Sequence, residues 1–199
     1  MIARAKPLNI VLDLDNTLIC SVAFRDLGRM PRVRKENLKC IDMDKSFRVF
    51  LRPHLQEFLD YIFKNFNVFV WTAASVEYAM FIVESLLLRK PLNGKRLAER
   101  AVEGVFFEYH VDLSDKLYGW PKKLAMYWEV FKWPGMSAAN TIIVDDLMDV
   151  SRAQPSNAIR VIPFDVLKAR GSSYKDNELS ARVIPRLQAI HRYLIEKSH

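Results

Sequence analysis

The chain has 199 residues, of which 50% are hydrophobic and 27% charged, and its formal net charge is +7. This length and apolar share predict one folded domain, residues 1–199, with a hydrophobic core. No apolar stretch approaches the ~20 residues that a membrane-spanning helix needs, and the first residues lack the apolar segment of a secretory signal. Two cysteines are too few for a disulfide framework. We therefore expect an intracellular protein, nuclear or cytoplasmic, with no membrane partner.

Apolar periodicity predicts strands and helices that alternate along the chain. In chain order we expect strand 8–14, a flap at 19–48, strand 46–51, helix 53–65, strand 67–71, helix 75–89, strand 105–111, helix 121–132, strand 140–145, short helix 147–152, strand 158–163 and helix 176–195. This alternation is typical of an α/β fold in which helices flank a parallel sheet. The flap is predicted to be a hairpin or an irregular loop.

The first predicted strand ends in two carboxylates, Asp13 and Asp15. The apolar run 8–12 before them is typical of a central strand in a parallel sheet. Alternate residues of a strand point to the same face, so both acids are expected at its carboxyl end, where such sheets bind ligands. Two acids this close repel each other unless a cation neutralises them. A plain strand end followed by an Asx turn is the competing interpretation.

Two further predicted strands end in polar residues, one in the pair Asp145-Asp146 and the other in Thr72. Because the carboxyl ends of parallel strands meet at one edge of a sheet, we expect these side chains to lie near the first two acids. Hard oxygen ligands of this kind suit Mg²⁺. A magnesium site with a lysine nearby suits phosphoryl chemistry.

The segment Asp13-Leu14-Asp15-Asn16-Thr17 resembles the DxDxT nucleophile motif of the haloacid-dehalogenase-type phosphatases. More narrowly, the chain is similar to the branch that dephosphorylates the C-terminal domain of RNA polymerase II, which includes the NLI-interacting-factor-like phosphatases. The supporting segments follow in the family's order: Arg52-Pro53-His54 with Glu57-Phe58-Leu59, Trp71-Thr72-Ala73-Ala74, Lys122-Lys123-Leu124 with Trp128, Asp145-Asp146, and residues 157–164. The last three are most similar to the member that carries a ubiquitin-like domain.

This resemblance covers about residues 8–165. It implies a haloacid-dehalogenase-like parallel sheet with the small flap at 19–48 and no large cap domain. It also implies an insert at about 89–120, in the region that carries specificity in relatives.

The resemblance implies that Asp13 is the nucleophile of a two-step hydrolysis. A carboxylate that attacks phosphorus forms an aspartyl-phosphate, which divides one difficult displacement into two easier ones. Asp15 would protonate the leaving oxygen and then act as base toward the hydrolytic water. Thr17 would orient Asp15 and help to fix the loop.

The remaining implied roles concern phosphate and metal. Thr72 would donate to a phosphoryl oxygen, since Ser75 serves equally well as the cap of the next helix. Lys122 would neutralise phosphoryl charge and hold the nucleophile ionised. Mg²⁺ would be bound by Asp13, by the backbone carbonyl of Asp15, and by Asp145 or Asp146.

Sequence leaves the lysine and the last metal ligand undecided. Lys123 is the rival of Lys122, which could also be an exposed residue in the first turn of a helix. In the small polymerase-directed phosphatases the lysine precedes Asp-Leu-Ser, and here residues 111–114 have that form without a lysine. The spacing from Lys122 to Asp145 favours the alignment on Lys122. Either Asp145 or Asp146 could be the direct ligand.

Between residues 22 and 40 of the predicted flap, six basic residues outnumber two acidic ones. The basic residues are Arg25, Arg29, Arg32, Arg34, Lys35 and Lys39. A short, basic flap suits a phosphorylated, anionic peptide as substrate, although a solvated charged loop explains the same pattern. A second basic cluster lies in the predicted insert and comprises Arg89, Lys90, Lys95, Arg96 and Arg100.

Together these patterns predict a Mg²⁺-dependent phosphoserine/phosphothreonine protein phosphatase. Its expected substrate is a phosphopeptide like the C-terminal domain of RNA polymerase II. One alternative is a phosphomonoesterase of the same fold that acts on nucleic-acid ends or small molecules, although the chain has no recognisable nucleic-acid-binding module. The other is a non-catalytic module that binds phosphoproteins. Oligomeric state is not predicted.

Overall fold

The structure, a computed structural model, describes residues 8–29, 38–88, 100–168 and 176–196. Its strands are β1 (Asn9–Leu12), β2 (Ile19–Ala23), β3 (Cys40–Met43), β4 (Phe47–Leu51), β5 (Asn67–Trp71), β6 (Val102–Phe106), β7 (Thr141–Asp145) and β8 (Ala158–Arg160). Its α-helices are α1 (Leu55–Asn65), α2 (Val76–Ile82), α3 (Glu108–Tyr118), α4 (Met148–Ala153) and α5 (Ile184–Glu196). A 3₁₀ turn covers Phe24–Arg29, and π-helical turns cover Val83–Leu87, Met126–Val130 and Glu178–Val183.

The chain forms two compact units, Met1–Asp13 with Leu59–Arg160 and Leu14–Phe58 with Val161–His199. The single-domain interpretation of residues 1–199 stays a prediction.

A five-stranded parallel sheet in the order β6-β5-β1-β7-β8 forms the first unit. Its central strand, β1, is buried along its whole length, which explains the uninterrupted apolar run in the sequence. Leu12 at the end of β1 pairs with Val70 on one side and Val144 on the other. The three neighbouring strands therefore end in register, and the residues that follow them start from one edge of the sheet. The predicted α/β class and parallel sheet are confirmed.

Aromatic side chains dominate one face of this sheet. Phe106 stacks on Tyr127 at 4.4 Å between ring centroids, and Trp71 meets both rings edge-on. Trp133 approaches β6 so closely that a Cβ on Gly104 would lie 2.7 Å from its ring. Such contacts fix the ends of β5 and β6 in a dense core.

Two predicted elements of the first unit are wrong in extent or type. The apolar run predicted as strand 105–111 is instead the end of β6 followed by α3. A short apolar run is compatible with the repeat of a strand and with that of a helix. Here Glu108 in the first turn and Gly119 at the left-handed C-cap favour the helix. The predicted helix 121–132 is reduced to the turn Met126–Val130, because Lys122 adopts a left-handed backbone conformation with φ of 52°.

The second unit contains a three-stranded antiparallel sheet in the order β2-β4-β3. It occupies the predicted flap, so the described part of 19–48 is a small sheet and includes no large cap domain. Cys20, Val22 and Phe50 pack with Phe164 and Val166 in a small core. The flap residues Arg32, Arg34 and Lys35 lie outside the described residues, as do Arg89, Lys90, Lys95 and Arg96 of the predicted insert.

A buried arginine ties this second unit together. The Arg52 guanidinium donates to the backbone carbonyls of Thr17 at 2.8 Å and Ile162 at 2.7 Å, and pairs with both carboxylate oxygens of Asp176. Four hydrogen bonds and a paired carboxylate therefore compensate its charge, as a buried charge requires. This side chain links the loop that carries Thr17 to the segment after β8, as does the N–H of Phe164, which donates to the carbonyl of Asn16 at 2.7 Å.

The last helix follows the expected pattern with one refinement. The π-helical turn Glu178–Val183 runs directly into α5, and Pro185 lies at this junction, where its missing N–H coincides with the change from π-helical to α-helical pairing. In the described part of the chain, no helix combines the length and apolarity that a bilayer crossing demands.

The two cysteines differ in exposure, which predicts different reactivities. Cys40 is exposed, whereas Cys20 is buried and its pKa is raised to about 11 by burial. Because the thiolate is the reactive form, we expect Cys20 to react with an aromatic disulfide reagent on the order of 10²-fold more slowly than Cys40 at pH 8. Absorbance should show one fast thiol, which the Cys40→Ser variant loses. A fast thiol retained in Cys40→Ser would contradict the buried position of Cys20.

Candidate active site

Two buried carboxylates leave adjacent strands at the carboxyl edge of the parallel sheet. Asp13 follows β1, and its N–H donates to the carbonyl of Val144 in β7 at 3.0 Å. Asp145 is the last residue of β7. Asp13 is 5% exposed and Asp145 is 2% exposed, so bulk water screens little of the negative charge on these carboxyl groups. A compensating cation is therefore required.

Lys122 supplies that positive charge. Its Nζ lies 2.5 Å from Oδ1 of Asp13 and 2.8 Å from Oδ2 of Asp145, and its side chain is 2% exposed. Burial alone would lower the pKa of Lys122, but the two carboxylates more than offset this and raise it. The structure places Lys122, not Lys123, between the acids, because Nζ of Lys123 donates to the carbonyl of Ala153.

Asp145 is the acid whose charge is most disfavoured. Burial and the neighbouring charge of Asp13 raise the pKa of Asp145 to about 7, against the opposing effects of Lys122 and the N–H of Leu147. That N–H donates to Oδ1 of Asp145 at 2.8 Å. The two acids and one ammonium thus form a strongly coupled charge cluster.

The acids of this edge fit a divalent cation. Asp13, Asp145 and Asp146 each offer an oxygen, and the three oxygens lie within 4.8 Å of one another. Oδ2 of Asp13 is buried without a hydrogen-bond partner among the described residues, as expected for an atom that a cation could satisfy. Both Asp145 and Asp146 belong to the group, so the choice between them stays open.

Thr72 follows β5 at the same edge. It is buried, its N–H donates to Phe106, and its Oγ1 accepts from the N–H of Ala74 at 3.2 Å. Ser75 caps α2 by accepting from the N–H of Tyr78, as the sequence suggested. Thr72 is therefore not needed as the helix cap.

The other two predicted site residues belong to the second unit. Asp15 is half-buried and forms a β-bridge with Ile19. Thr17 is fully buried, and its Oγ1 has no hydrogen-bond partner in the described part of the chain. Asn16 between them adopts a left-handed conformation, φ 59°, which asparagine tolerates better than most residues. The loop is thus a tight turn held at Thr17 by Arg52.

Sequence reasoning missed two residues that contact the Lys122 segment. Ser114 and Gln154 are buried and bond to the backbone of residues 120–124. Ser114 drew attention only as part of the Asp-Leu-Ser lookalike, and Gln154 follows a short predicted helix without any motif. Their partners are distant in sequence or belong to the backbone, so no local pattern reveals them.

Comparisons with known proteins agree with this geometry. The family model of the NLI interacting factor-like phosphatases matches residues 8–197. The CTD phosphatase-like protein 355R of Invertebrate iridescent virus 6 is 40% identical over 176 residues, which cover 86% of this chain and 92% of that protein. Its counterpart in Invertebrate iridescent virus 3 is 38% identical over 78% of this chain and 83% of that protein.

A solved structure shows the same fold. Fission yeast RNA polymerase II CTD phosphatase Fcp1, bound to beryllium fluoride, superposes with a TM-score of 0.54 at 18% identity. The match covers 93% of this chain and 51% of that one, so this chain spans about half of the Fcp1 chain. The sequence-based family resemblance is confirmed by the family model and the viral relatives. The chain belongs to the NLI interacting factor-like phosphatase family.

Proposed function

We propose that this protein is a Mg²⁺-dependent phosphoserine/phosphothreonine protein phosphatase that works through an aspartyl-phosphate on Asp13. The observation that carries the proposal is the state of the Asp13 carboxylate. One oxygen is held by the Lys122 ammonium, and the other is buried without a hydrogen-bond partner among the described residues. The carboxylate is therefore oriented by one contact and little solvated at its other oxygen, as suits an attacking group.

The first step transfers the phosphoryl group to the protein. An oxygen of Asp13 forms a bond to phosphorus while the bond from phosphorus to the serine or threonine oxygen breaks. Asp15, two residues further along the chain, donates a proton to that leaving oxygen. In the second step Asp15 takes a proton from water, whose oxygen attacks phosphorus. Inorganic phosphate leaves and the Asp13 carboxylate is restored.

Neighbouring residues stabilise the transferred group. Lys122 balances negative charge that accumulates on the phosphoryl oxygens, and it acts where little water competes. Thr72 donates its hydroxyl hydrogen to a phosphoryl oxygen, while Thr17 orients Asp15 within their shared loop. The family resemblance and the burial of both threonines support these two roles.

Asp13 and Asp145 or Asp146 would hold Mg²⁺, and the family resemblance implies the backbone carbonyl of Asp15 as a further ligand. Carboxylate and carbonyl oxygens are the ligands that this ion prefers. When bound, Mg²⁺ supplies positive charge that offsets the charge of the acids and of the phosphoryl oxygens. The buried, unpartnered oxygen of Asp13 supports this arrangement.

The proposed substrate is a phosphopeptide like the RNA polymerase II C-terminal domain. Two observations support it: the viral relatives are named as CTD phosphatase-like, and the described part of the flap is a small sheet. A small flap leaves room for an extended protein segment, whereas a large cap would enclose a small molecule. An intracellular location, nuclear or cytoplasmic, stays a prediction.

A substrate panel tests this proposal. Steady-state hydrolysis is measured for phosphoserine heptad peptides, an unrelated phosphothreonine peptide, a phosphotyrosine peptide, a 3′-phosphorylated oligonucleotide and a small aryl phosphate. We expect Mg²⁺-dependent turnover that is highest with the heptad peptides and is lost in EDTA. Preference for the oligonucleotide or the aryl phosphate would move the protein to a different substrate class. Absence of all turnover by folded, Mg²⁺-loaded protein would favour a binding module.

Asp13→Asn tests the nucleophile. The amide is nearly isosteric but cannot attack phosphorus, so we expect kcat to fall by more than ~10³-fold, on the scale of losing a catalytic nucleophile. Asp149→Asn is the matched control, since Asp149 is an exposed acid in α4. Its kcat should match that of the wild type. Equal losses in the two variants, or activity retained in Asp13→Asn, would contradict the assignment.

The raised pKa of Asp145 predicts a pH-dependent stability in metal-free protein. The folded state holds this proton more tightly than the unfolded chain, since the Asp145 pKa is about 7 against 3.8. Its contribution to the free energy of unfolding is therefore lost as pH rises from about 4 to about 7. Each pKa unit corresponds to about 1.4 kcal/mol, so the loss amounts to a few kcal/mol.

Urea denaturation in EDTA across this pH range measures the effect. Asp145→Asn cannot ionise, and its stability curve should therefore lie flatter than that of the wild type. Added Mg²⁺ should stabilise the wild type more at pH 8 than at pH 5.5, because at the lower pH the ion must displace the proton from Asp145. It should stabilise the variant less, since the variant lacks that carboxylate. Parallel curves for the two proteins in EDTA would count against the raised pKa.

A further inference from the structure

The backbone at Lys122 adopts a conformation that its sequence does not favour. Its φ of 52° lies in the left-handed region, which a residue with a Cβ rarely adopts. Gly119, three residues earlier, is also left-handed and ends α3. The segment that delivers the active-site ammonium is thus an irregular turn outside regular secondary structure. Surrounding groups must hold it, because a lone strained residue would relax.

Ser114 holds this turn from α3. Its side chain is fully buried, and its Oγ donates to the carbonyl of Trp120 at 2.8 Å. The same oxygen accepts from the N–H of Lys123, also at 2.8 Å. One hydroxyl therefore links the two residues that lie on either side of Pro121-Lys122. The turn is closed by this pair of bonds.

Gln154 holds the same turn from the end of α4. Its Oε1 accepts from the N–H of Leu124 at 2.9 Å, and its Nε2 donates to the carbonyls of Lys122 and Val150, both at 3.0 Å. Two of the three bonds reach outside its own helix. A residue that only capped α4 would need the bond to Val150 alone.

The position of α4 gives these bonds a consequence for the charge cluster. The helix starts three residues after Asp145, and the N–H of Leu147 just before it donates to the Asp145 carboxylate. Its other end holds the carbonyl of Lys122 through Gln154. The helix therefore joins a residue that contacts the acid, whose position β7 fixes, to a residue that holds the backbone of the lysine. A long lysine side chain has many rotamers, so the place of its ammonium depends on where its backbone is fixed.

We propose that Ser114 and Gln154 are positioning residues that hold the Lys122 turn and so place its ammonium between Asp13 and Asp145. Neither touches the substrate in this account; both act through Lys122. The inference rests on the proposed phosphatase function for its catalytic consequence, but the placement of the ammonium is a property of the protein alone.

Two variants and one control test the proposal. Gln154→Met keeps the length of the side chain and removes its three hydrogen bonds. Ser114→Ala removes a single oxygen and provides the test if Gln154→Met does not fold. The control is Asn140→Leu, at the opposite end of β7 from Asp145. Asn140 also bridges backbone groups, since it donates to Gly135 and accepts from Ser137. All proteins are first compared for thermal unfolding.

The first readout needs no activity. Protein labelled with ¹⁵N-lysine is examined by NMR for the ammonium of Lys122, assigned by its absence in Lys122→Met. The buried, doubly paired ammonium should exchange its hydrogens slowly and give a distinct signal. We expect this signal to shift or vanish in Gln154→Met and Ser114→Ala and to stay unchanged in Asn140→Leu. An unchanged signal in both folded variants would overturn the proposal.

The second readout is a kinetic cycle. We expect each variant to lower kcat/KM by about 10–100-fold, whereas Asn140→Leu stays within about threefold of the wild type. Because Gln154 acts only through Lys122, adding Gln154→Met to Lys122→Met should cause little further loss. A full additional loss in that background would overturn the proposal. If the wild type hydrolyses nothing, the proposed function fails, and the ammonium signal alone decides the role of the two residues.

Discussion

The site depends on one buried ammonium that lies between two buried carboxylates. Lys122 contacts Asp13 and Asp145 where little water can screen their charges. Without it, the two acids on adjacent strands would repel each other with no opposing charge, and the pKa of Asp145, already raised to about 7, would rise further. With it, one oxygen of Asp13 pairs with the ammonium while the other remains without a hydrogen-bond partner among the described residues. The charge balance that stabilises the strand ends is thus the same balance that a nucleophilic carboxylate requires.

The fold delivers these groups in different ways. The acids follow from register, because β1 and β7 pair residue for residue and end together. The lysine has no such support, since it lies in a left-handed turn between α3 and a π-helical turn. Bonds from Ser114 and Gln154 replace the regular backbone pairing that the turn lacks. In the second unit Arg52 has a comparable role, because it holds the carbonyl of Thr17 in the loop of Asp15.

Sequence predicted the parts of this structure that depend on local patterns. The strands that end at Asp13, Thr72 and Asp145 were visible as apolar runs followed by polar residues, and the ordered motifs indicated the family. Residues 105–111 were mistaken for a strand, because a short apolar run is compatible with the repeat of a strand and with that of a helix. Packing and capping favour the helix that begins at Glu108. The roles of Ser114 and Gln154 could not be read at all. Their bonds reach backbone groups as far as 32 residues away, which no local pattern encodes.

The most direct test of the account is to identify the phosphorylated residue during turnover. Protein that is turning over a phosphoserine peptide is quenched in acid and treated with borohydride, which reduces an aspartyl-phosphate to homoserine. We expect peptide mass spectrometry to find this conversion at Asp13 during turnover and to find none without substrate. Rapid turnover with no reduced residue at Asp13, or with the conversion at another acid such as Asp145, would contradict the assignment of the nucleophile.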